Sequence, residues 1–247
     1  MKNKRFGKVH AIIPDVQVRP GMDVKFLTAV GNYIADKKPD TIVCIGDFAD
    51  MPSLNSHGKL KELEGKRYVS DIAATKTAMA ALLKPIKAVK DYSPKMVLTL
   101  GNHEARIDRE AAEQPKLVGT ISTKDLGYEE AGWKVVPFLQ PISIDGIAYC
   151  HYFISGAYGR PVSSASALLR RVKGSAVMGH VQSFDLAIHP YTGNLGMFCG
   201  TCNLVNEDYL TPQGNFYRRH IVFLHEVRNG ICDPMLVSLK FLKARYA

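Results

Sequence analysis

The chain has 247 residues, of which 46% are hydrophobic and 22% charged, with 20 Gly, 13 Pro and one Trp. This composition excludes a collagen-like, coiled-coil or wholly disordered chain and suits a globular enzyme. Lys and Arg number 32 against 23 Asp and Glu, a net charge of +9, which favours anionic partners without bearing on fold.

No apolar run approaches the ~18 residues of a membrane-spanning helix. The basic start, Met1 to Phe6, is followed by an apolar run too short for a signal peptide. A cytoplasmic protein with no membrane partner is expected. The five Cys are an odd count at irregular spacing, so no disulfide framework is expected. Cys199 and Cys202 form a lone CxxC without the second pair of a zinc ribbon, and buried free thiols are expected there.

Residues 9–13 form a short apolar, β-branched run closed by Pro14, a strand signal. Val24, Leu27, Val30 and Ile34 recur at helical spacing over 22–35, between Gly21 and Pro39. Residues 41–45 predict a second strand. The stretch 52–67 predicts an irregular surface insertion, and His57 within it is expected at the surface or hydrogen-bonded. Ile72, Met79, Leu82, Leu83, Ile86 and Val89 predict a long helix, capped by Ser70 or Asp71 and bent or interrupted at Pro85. Residues 95–100 predict a third strand. This β-α-β-α-β order favours a parallel sheet with right-handed crossovers.

Short strands are then predicted at 133–138, 142–144, 147–153, 176–178, 184–188, 221–227 and 236–241, with one helix around Leu168, Leu169 and Val172. Asp145-Gly146 marks a hairpin. Without repeats or linkers, residues 1–247 are expected to form one domain.

Polar, metal-capable groups follow strand after strand: Asp15-Val16-Gln17, Gly46-Asp47-Phe48-Ala49-Asp50, Gly101-Asn102-His103-Glu104, His151, and Gly179-His180-Val181-Gln182. Ligands of α/β sheets bind outside the carboxyl ends of the strands, so these ends define one candidate site. His10, His189, His220 and His225 carry no such pattern and are expected at the surface or hydrogen-bonded in the core.

The ordered set Asp-x-His, Gly-Asp-x-x-Asp, Gly-Asn-His-Asp/Glu, His, Gly-His-x-His marks the calcineurin-like metallophosphoesterases, and residues 15–182 resemble it. The chain is also similar to a subgroup met in bacteriophage genomes, which would place it in the host cytoplasm. The resemblance implies an α/β fold, a four-layer α-β-β-α sandwich. It implies two divalent metal ions, Mn²⁺ foremost and Mg²⁺ second, bridged by Asp47. One ion would take Asp15, Asp47, Gln17 and Gln182. The other would take Asp47, Asn102, His151 and His180. A metal-bound hydroxide would attack phosphorus, with His103 as general acid and Asp50 orienting its imidazole.

Two positions depart from the pattern. Gln17 and Gln182 stand where the family has His, both in the same metal site. An oxygen-richer, neutral site favours Mg²⁺ or Mn²⁺ over Zn²⁺ and binds more weakly. Met51-Pro52 replaces the Arg-Gly of protein phosphatases, which lowers protein dephosphorylation. Arg106 and Arg160 are the candidate phosphate contacts, although Arg106 and Arg109 among Glu104, Asp108, Glu110 and Glu113 also suit a solvated helix face. Between 151 and 184, Arg160, Arg170, Arg171 and Lys173 interleave with Tyr152, Phe153 and Tyr158 without an acidic residue, a mixture that suits a polyanion or nucleobase. The expected function is phosphodiester hydrolysis on a nucleotide or nucleic acid. The alternatives are a phosphomonoesterase or a degenerate binding module; retention of His103 and Asp50 argues against the last.

Overall fold

The computed structural model describes residues 6–56, 60–204 and 217–247; His57 lies outside them. Strand β1 (Lys8–Ile13) alternates Val9, Ala11 and Ile13 toward one core and Ile12 toward another, the period-two pattern of a sheet covered on both faces. Helix α1 (Lys25–Lys37) crosses to β2 (Thr41–Cys44), and helices α2 (Leu60–Leu63) and α3 (Tyr68–Lys87) lead to β3 (Lys95–Thr99). After α4 (Ala105–Glu113) comes β4 (Lys134–Val136). These four strands are parallel neighbours in sequence order, and the expected β-α-β-α-β start is present.

The second sheet begins with β5 (Ile142–Ile144) and β6 (Ile147–Tyr149), the expected hairpin, then crosses through α5 (Ala165–Val172) to β7 (Ser175–Met178). Strands β8 (Phe184–Ile188) and β9 (Leu195–Cys199) complete it in the order β5-β6-β7-β9-β8. The chain then returns to the first sheet as β10 (His220–Arg228) and β11 (Ile231–Ser238), antiparallel at the β1 edge, and ends in α6 (Leu239–Tyr246).

Three apolar cores fix the layering. Ile12, Val43, Ile45 and Val97 meet Ile147, Tyr149, Val177 and Met197 between the two sheets. Leu27, Ile34, Leu82, Ile86 and Leu242 cover the outer face of the first sheet. Val162 and Leu168 cover the second against Ala176, Met178 and Phe198. The result is the expected α-β-β-α sandwich.

Several local expectations are corrected. Residues 236–241 are not one strand: Ser238 ends β11, and its hydroxyl accepts the Phe241 N–H at 3.2 Å to cap α6. The strand expected at 147–153 stops at Tyr149. Strand β9 was not anticipated. Helix α3 starts at Tyr68, before Ser70 or Asp71 could cap it, and Asp71 instead accepts the backbone N–H and the hydroxyl of Ser53. Pro85 does not stop α3, which runs two residues further; the proline forfeits the one bond its N–H would have made to the Ala81 carbonyl, and the helix ends within a turn of it. Within 52–67, a 3-10 turn at Pro52–Leu54 and α2 replace the irregular loop. The five cysteines are buried and free, as expected.

His10 is a hydrogen-bonded core residue. Its Nδ1 lies 2.7 Å from the Tyr149 hydroxyl and its Nε2 3.0 Å from Asp145 Oδ2. A carboxylate only accepts, so Nε2 carries the proton and Nδ1 accepts from Tyr149. Burial pushes the His10 pKa below 6.5, more than Asp145 raises it. The unfolded chain therefore binds the extra proton, and this contribution to stability is present at neutral pH and lost as pH falls below 6.5. The urea midpoint is expected to drop between about pH 7.5 and about pH 5.5, and His10→Asn is expected to flatten that drop. An unchanged pH dependence in the variant would contradict this.

Candidate metal centre

The candidate residues all follow parallel strands and meet at one end of the sandwich. Asp15 and Gln17 follow β1, Asp47 and Asp50 follow β2, and Asn102 and His103 follow β3. His151 follows β6, and His180 and Gln182 follow β7. The loops are stitched by the main chain: the N–H groups of Val16 and Gln17 donate to the Asp47 carbonyl at 3.1 and 2.8 Å. Gln17, Asp47, His180 and Gln182 hold positive φ angles of 51°, 48°, 68° and 59°. Left-handed non-glycine backbone is strained, and such strain collects at functional sites. Gly101 is required where it stands, since a Cβ there would collide with the Asp47 carboxylate.

Glu104 organises this end from beneath. It is fully buried and accepts from the N–H groups of Asp47 (3.0 Å), Ala49 (2.9 Å) and Gly101 (2.9 Å) and from the Tyr128 hydroxyl (3.1 Å). One carboxylate thereby locks the loops after β2 and β3 to each other. The Gly-Asn-His-Glu spacing points to Glu104, but only the fold shows what it holds.

Asp47, His151 and His180 bring ligand atoms within 4.8 Å of one another. The Asn102 amide oxygen sits 2.9 Å from both His151 Nε2 and His180 Nδ1. His151 Nε2 is also 3.3 Å from Asp47 Oδ2. On the far side of the ring, His151 Nδ1 donates to the Ile45 carbonyl at 2.9 Å. That bond commits the Nδ1 proton and leaves Nε2 to face the centre, as a second partner does for a metal-ligating imidazole. A carboxylate, an amide oxygen and two imidazole nitrogens then converge, a donor set that fits one divalent cation.

Packing these groups together shifts their titration. Burial alone would lower His151, but the charge and hydrogen bond of Asp47 outweigh it and hold the imidazole at about 9. Burial would raise Asp47, yet His103 and His151 keep its carboxyl well below the usual range. His180 is pushed down to about 4 by burial and the neighbouring His151. Burial lifts Asp15 to about 7, with His151 opposing and Asp47 adding to the rise.

His103 stands beside this group. Its Nδ1 is 2.8 Å from Asp50 Oδ1, and its Nε2 is 3.7 Å from Asp47 Oδ2. Burial lowers its pKa, but Asp47 and the Asp50 hydrogen bond prevail, and the net shift is upward. Asp50 is gripped from its other side by Arg19, Nε to Oδ2 at 3.0 Å. Arg106 donates to the Asp50 and Met51 carbonyls at 2.7 and 3.3 Å, and its Nη2 lies 3.4 Å from His103 Nε2. The solvated-face expectation thus suits Arg109, which is exposed, and fails for Arg106, which is buried. Arg19 was absent from the sequence-derived set, and Glu104 was named there only within its motif, without a role.

Asp15 accepts the His180 N–H at 3.0 and 3.2 Å. The segment after β9 braces its loop: the Thr201 hydroxyl and the Cys202 N–H both donate to the Asp15 carbonyl, at 2.9 and 3.0 Å. The CxxC segment is therefore structural. Next to it, Asn203 Nδ2 donates to Gln17 Oε1 at 2.6 Å, both residues being buried.

Arg160 lies exposed in the loop after His151. Helix α5 connects parallel strands and so runs back against them, which puts Arg170, Arg171 and Lys173 at its end away from the site. Arg171 Nε donates to the Ile154 carbonyl at 3.3 Å. Tyr152 packs on His180, ring centroids 4.7 Å apart, and on Phe138 at 5.5 Å. Phe153 packs on the outer core under α5, and Tyr158 is almost wholly exposed.

No protein-family model matches the chain. It is 30% identical over 193 residues to the Gene 54 protein of Mycobacterium phage L5, covering 74% of this chain and 73% of that protein. A solved structure of Vps29 complexed with Zn²⁺, from Entamoeba histolytica, aligns over 94% of this chain and 99% of its own at 10% identity and a TM-score of 0.43. An uncharacterized protein of Streptococcus pneumoniae TIGR4, described as a predicted phosphoesterase, aligns over 93% and 97% at 8% identity and a TM-score of 0.34. Among the described residues, no helix is long and apolar enough to cross a membrane.

Proposed function

Since the chain belongs to the family of the Gene 54 protein of Mycobacterium phage L5, a name that states no activity, we propose its function from its own site: metal-dependent hydrolysis of a phosphodiester, of a nucleotide or nucleic acid. The observation that carries this reading is the convergence of Asp47, Asn102, His151 and His180 beside an Asp50-bound His103. We assign residues 1–247 to one calcineurin-like metallophosphoesterase domain, with Mn²⁺ the first candidate ion and Mg²⁺ the second. The phage relative supports the host cytoplasm as its place of work.

Asp47, Asn102, His151 and His180 would hold the ion, which supplies Lewis-acid charge for a phosphoryl oxygen and an acidified water. His103 supplies the proton that the leaving oxygen needs. Its Nδ1 is committed to Asp50, so Nε2 faces the centre. Arg106 positions this acid through the Asp50 carbonyl.

Charge favours a diester over a monoester. Arg19 and Arg106, the guanidiniums that touch the His103–Asp50 pair, are both engaged with Asp50. A dianionic monoester would ask for a free cationic fork, and a monoanionic diester asks for less. Arg160 and Tyr152 are the proposed contacts for the rest of the substrate. Metal-free protein should be supplied with Mn²⁺ or Mg²⁺ and offered bis(para-nitrophenyl) phosphate, para-nitrophenyl phosphate and single-stranded DNA. The diester is expected to turn over faster than the monoester, with Mn²⁺ the better ion. A preference for the monoester would overturn the diester assignment.

A further inference from the structure

We infer that the chain binds one divalent ion tightly and that the neighbouring position beside Asp15 is closed to a second by an amide pair, Gln17 with Asn203. This deepens the proposed function and rests on its metal centre.

The family resemblance asks Asp15, Gln17, Asp47 and Gln182 to hold a second ion. Gln17 could serve only through its amide oxygen, since an amide nitrogen has no lone pair to give a cation. That oxygen is turned to Asn203, whose Nδ2 donates to it at 2.6 Å. Gln17 and Asn203 are each only 2% exposed, and a buried amide bond is costly to break because both partners would be left unsatisfied. A cation on the oxygen's remaining lone pair would sit beside the Asn203 N–H donors, which repel it.

The rest of that position is no better supplied. Asp15 shares the His180 N–H between its two carboxylate oxygens, and its main-chain carbonyl, which accepts from Thr201 and Cys202, fixes its loop. Asp47, His151 and His180 bring three charged or imidazole ligand atoms together, whereas the position beside Asp15 has Gln17 and Gln182 in place of imidazoles. The two positions therefore differ in kind. One has two imidazoles beside the Asp47 carboxylate, and the other has the Asp15 carboxylate and neutral amides, one of them paired to Asn203.

Asn203 is then the residue that sets the metal count, and an isosteric change tests this without a packing cost. In Asn203→Asp the new carboxylate can only accept. Gln17 must rotate its amide to offer its NH₂, which turns its oxygen outward and adds a negative charge nearby. Metal-free protein and the N203D variant should be titrated with Mn²⁺, and bound ions counted by elemental analysis and by electron paramagnetic resonance. The wild type is expected to bind one ion with the spectrum of an isolated Mn²⁺. N203D is expected to bind a second, at least about tenfold more tightly than the wild type does, and to show an exchange-coupled pair. Two tightly bound, coupled ions in the wild type would overturn the inference and leave the metal-centre reading intact. A single ion in N203D would also overturn it. No bound ion in the wild type would remove both the inference and the centre on which it rests.

Discussion

The Asp47→Asn variant is expected to lose its tightly held ion and its turnover while keeping its fold. Asp47 provides the one carboxylate in the group that includes His151 and His180, and its charge is what holds His151 up at about 9. Asn keeps the shape and removes the charge. Several kcal/mol of transition-state stabilisation depend on a metal ion acting as Lewis acid, so the rate should fall by about 10³ or more. The Asp47 carbonyl bonds to Val16 and Gln17 and its N–H bond to Glu104 are main-chain bonds and survive the change. Metal content and the thermal unfolding profile of the variant check the two halves of this expectation. A variant that retained its ion would contradict the role given to Asp47.

Replacing His103 by Ala is expected to leave the ion in place and cost about 10² to 10⁴ in rate, the usual worth of a positioned acid. The loss should be largest for a poor leaving group such as a sugar hydroxyl and smallest for para-nitrophenolate, which departs without a proton. His103 contributes its main-chain N–H to Asp47 Oδ1 at 2.9 Å, and this bond persists in the variant. Parallel kcat measurements on substrates of graded leaving-group acidity check the dependence. A uniform loss across that series would assign His103 to substrate binding instead.

The first three strands and the strand-end residues were legible because parallel β-α-β units announce themselves twice, in apolar periodicity and in the polar turn after each strand. The rest was hidden for physical reasons. Strand β9 is buried along its whole length, so it shows no alternation, and Gly196 lowers its strand signal. That glycine is needed because α5 lies directly on it, and a Cβ would strike the Ala165 carbonyl. Leu239, Phe241 and Leu242 form a short apolar run that fits strand or helix equally, and only the Ser238 cap decides it.

The site was legible in its residue types but not in its pairings. Glu104 stood in a recognised motif, yet its four donors come from Asp47, Ala49, Gly101 and Tyr128, brought together by the fold. Arg19 reaches Asp50 from the loop after β1, and no spacing rule links them. Asn203 meets Gln17 across 186 positions of sequence. Such contacts depend on how the loops of two sheets face each other, which no local pattern encodes. The basic residues of α5 make the same point: they lie between His151 and His180 in sequence, but a crossover helix carries its last turn to the opposite end of the strands.

We propose that one ion held by Asp47, Asn102, His151 and His180 drives phosphodiester hydrolysis. It is tested most directly by titrating metal-free protein with Mn²⁺ while measuring bound ion and hydrolysis of bis(para-nitrophenyl) phosphate in the same samples, with Asp47→Asn alongside. The expected result is a rate that rises in proportion to the first bound ion, and neither binding nor hydrolysis in the variant. Hydrolysis that persists in excess chelator, or a fully bound ion with no hydrolysis of any phosphoester, would contradict it.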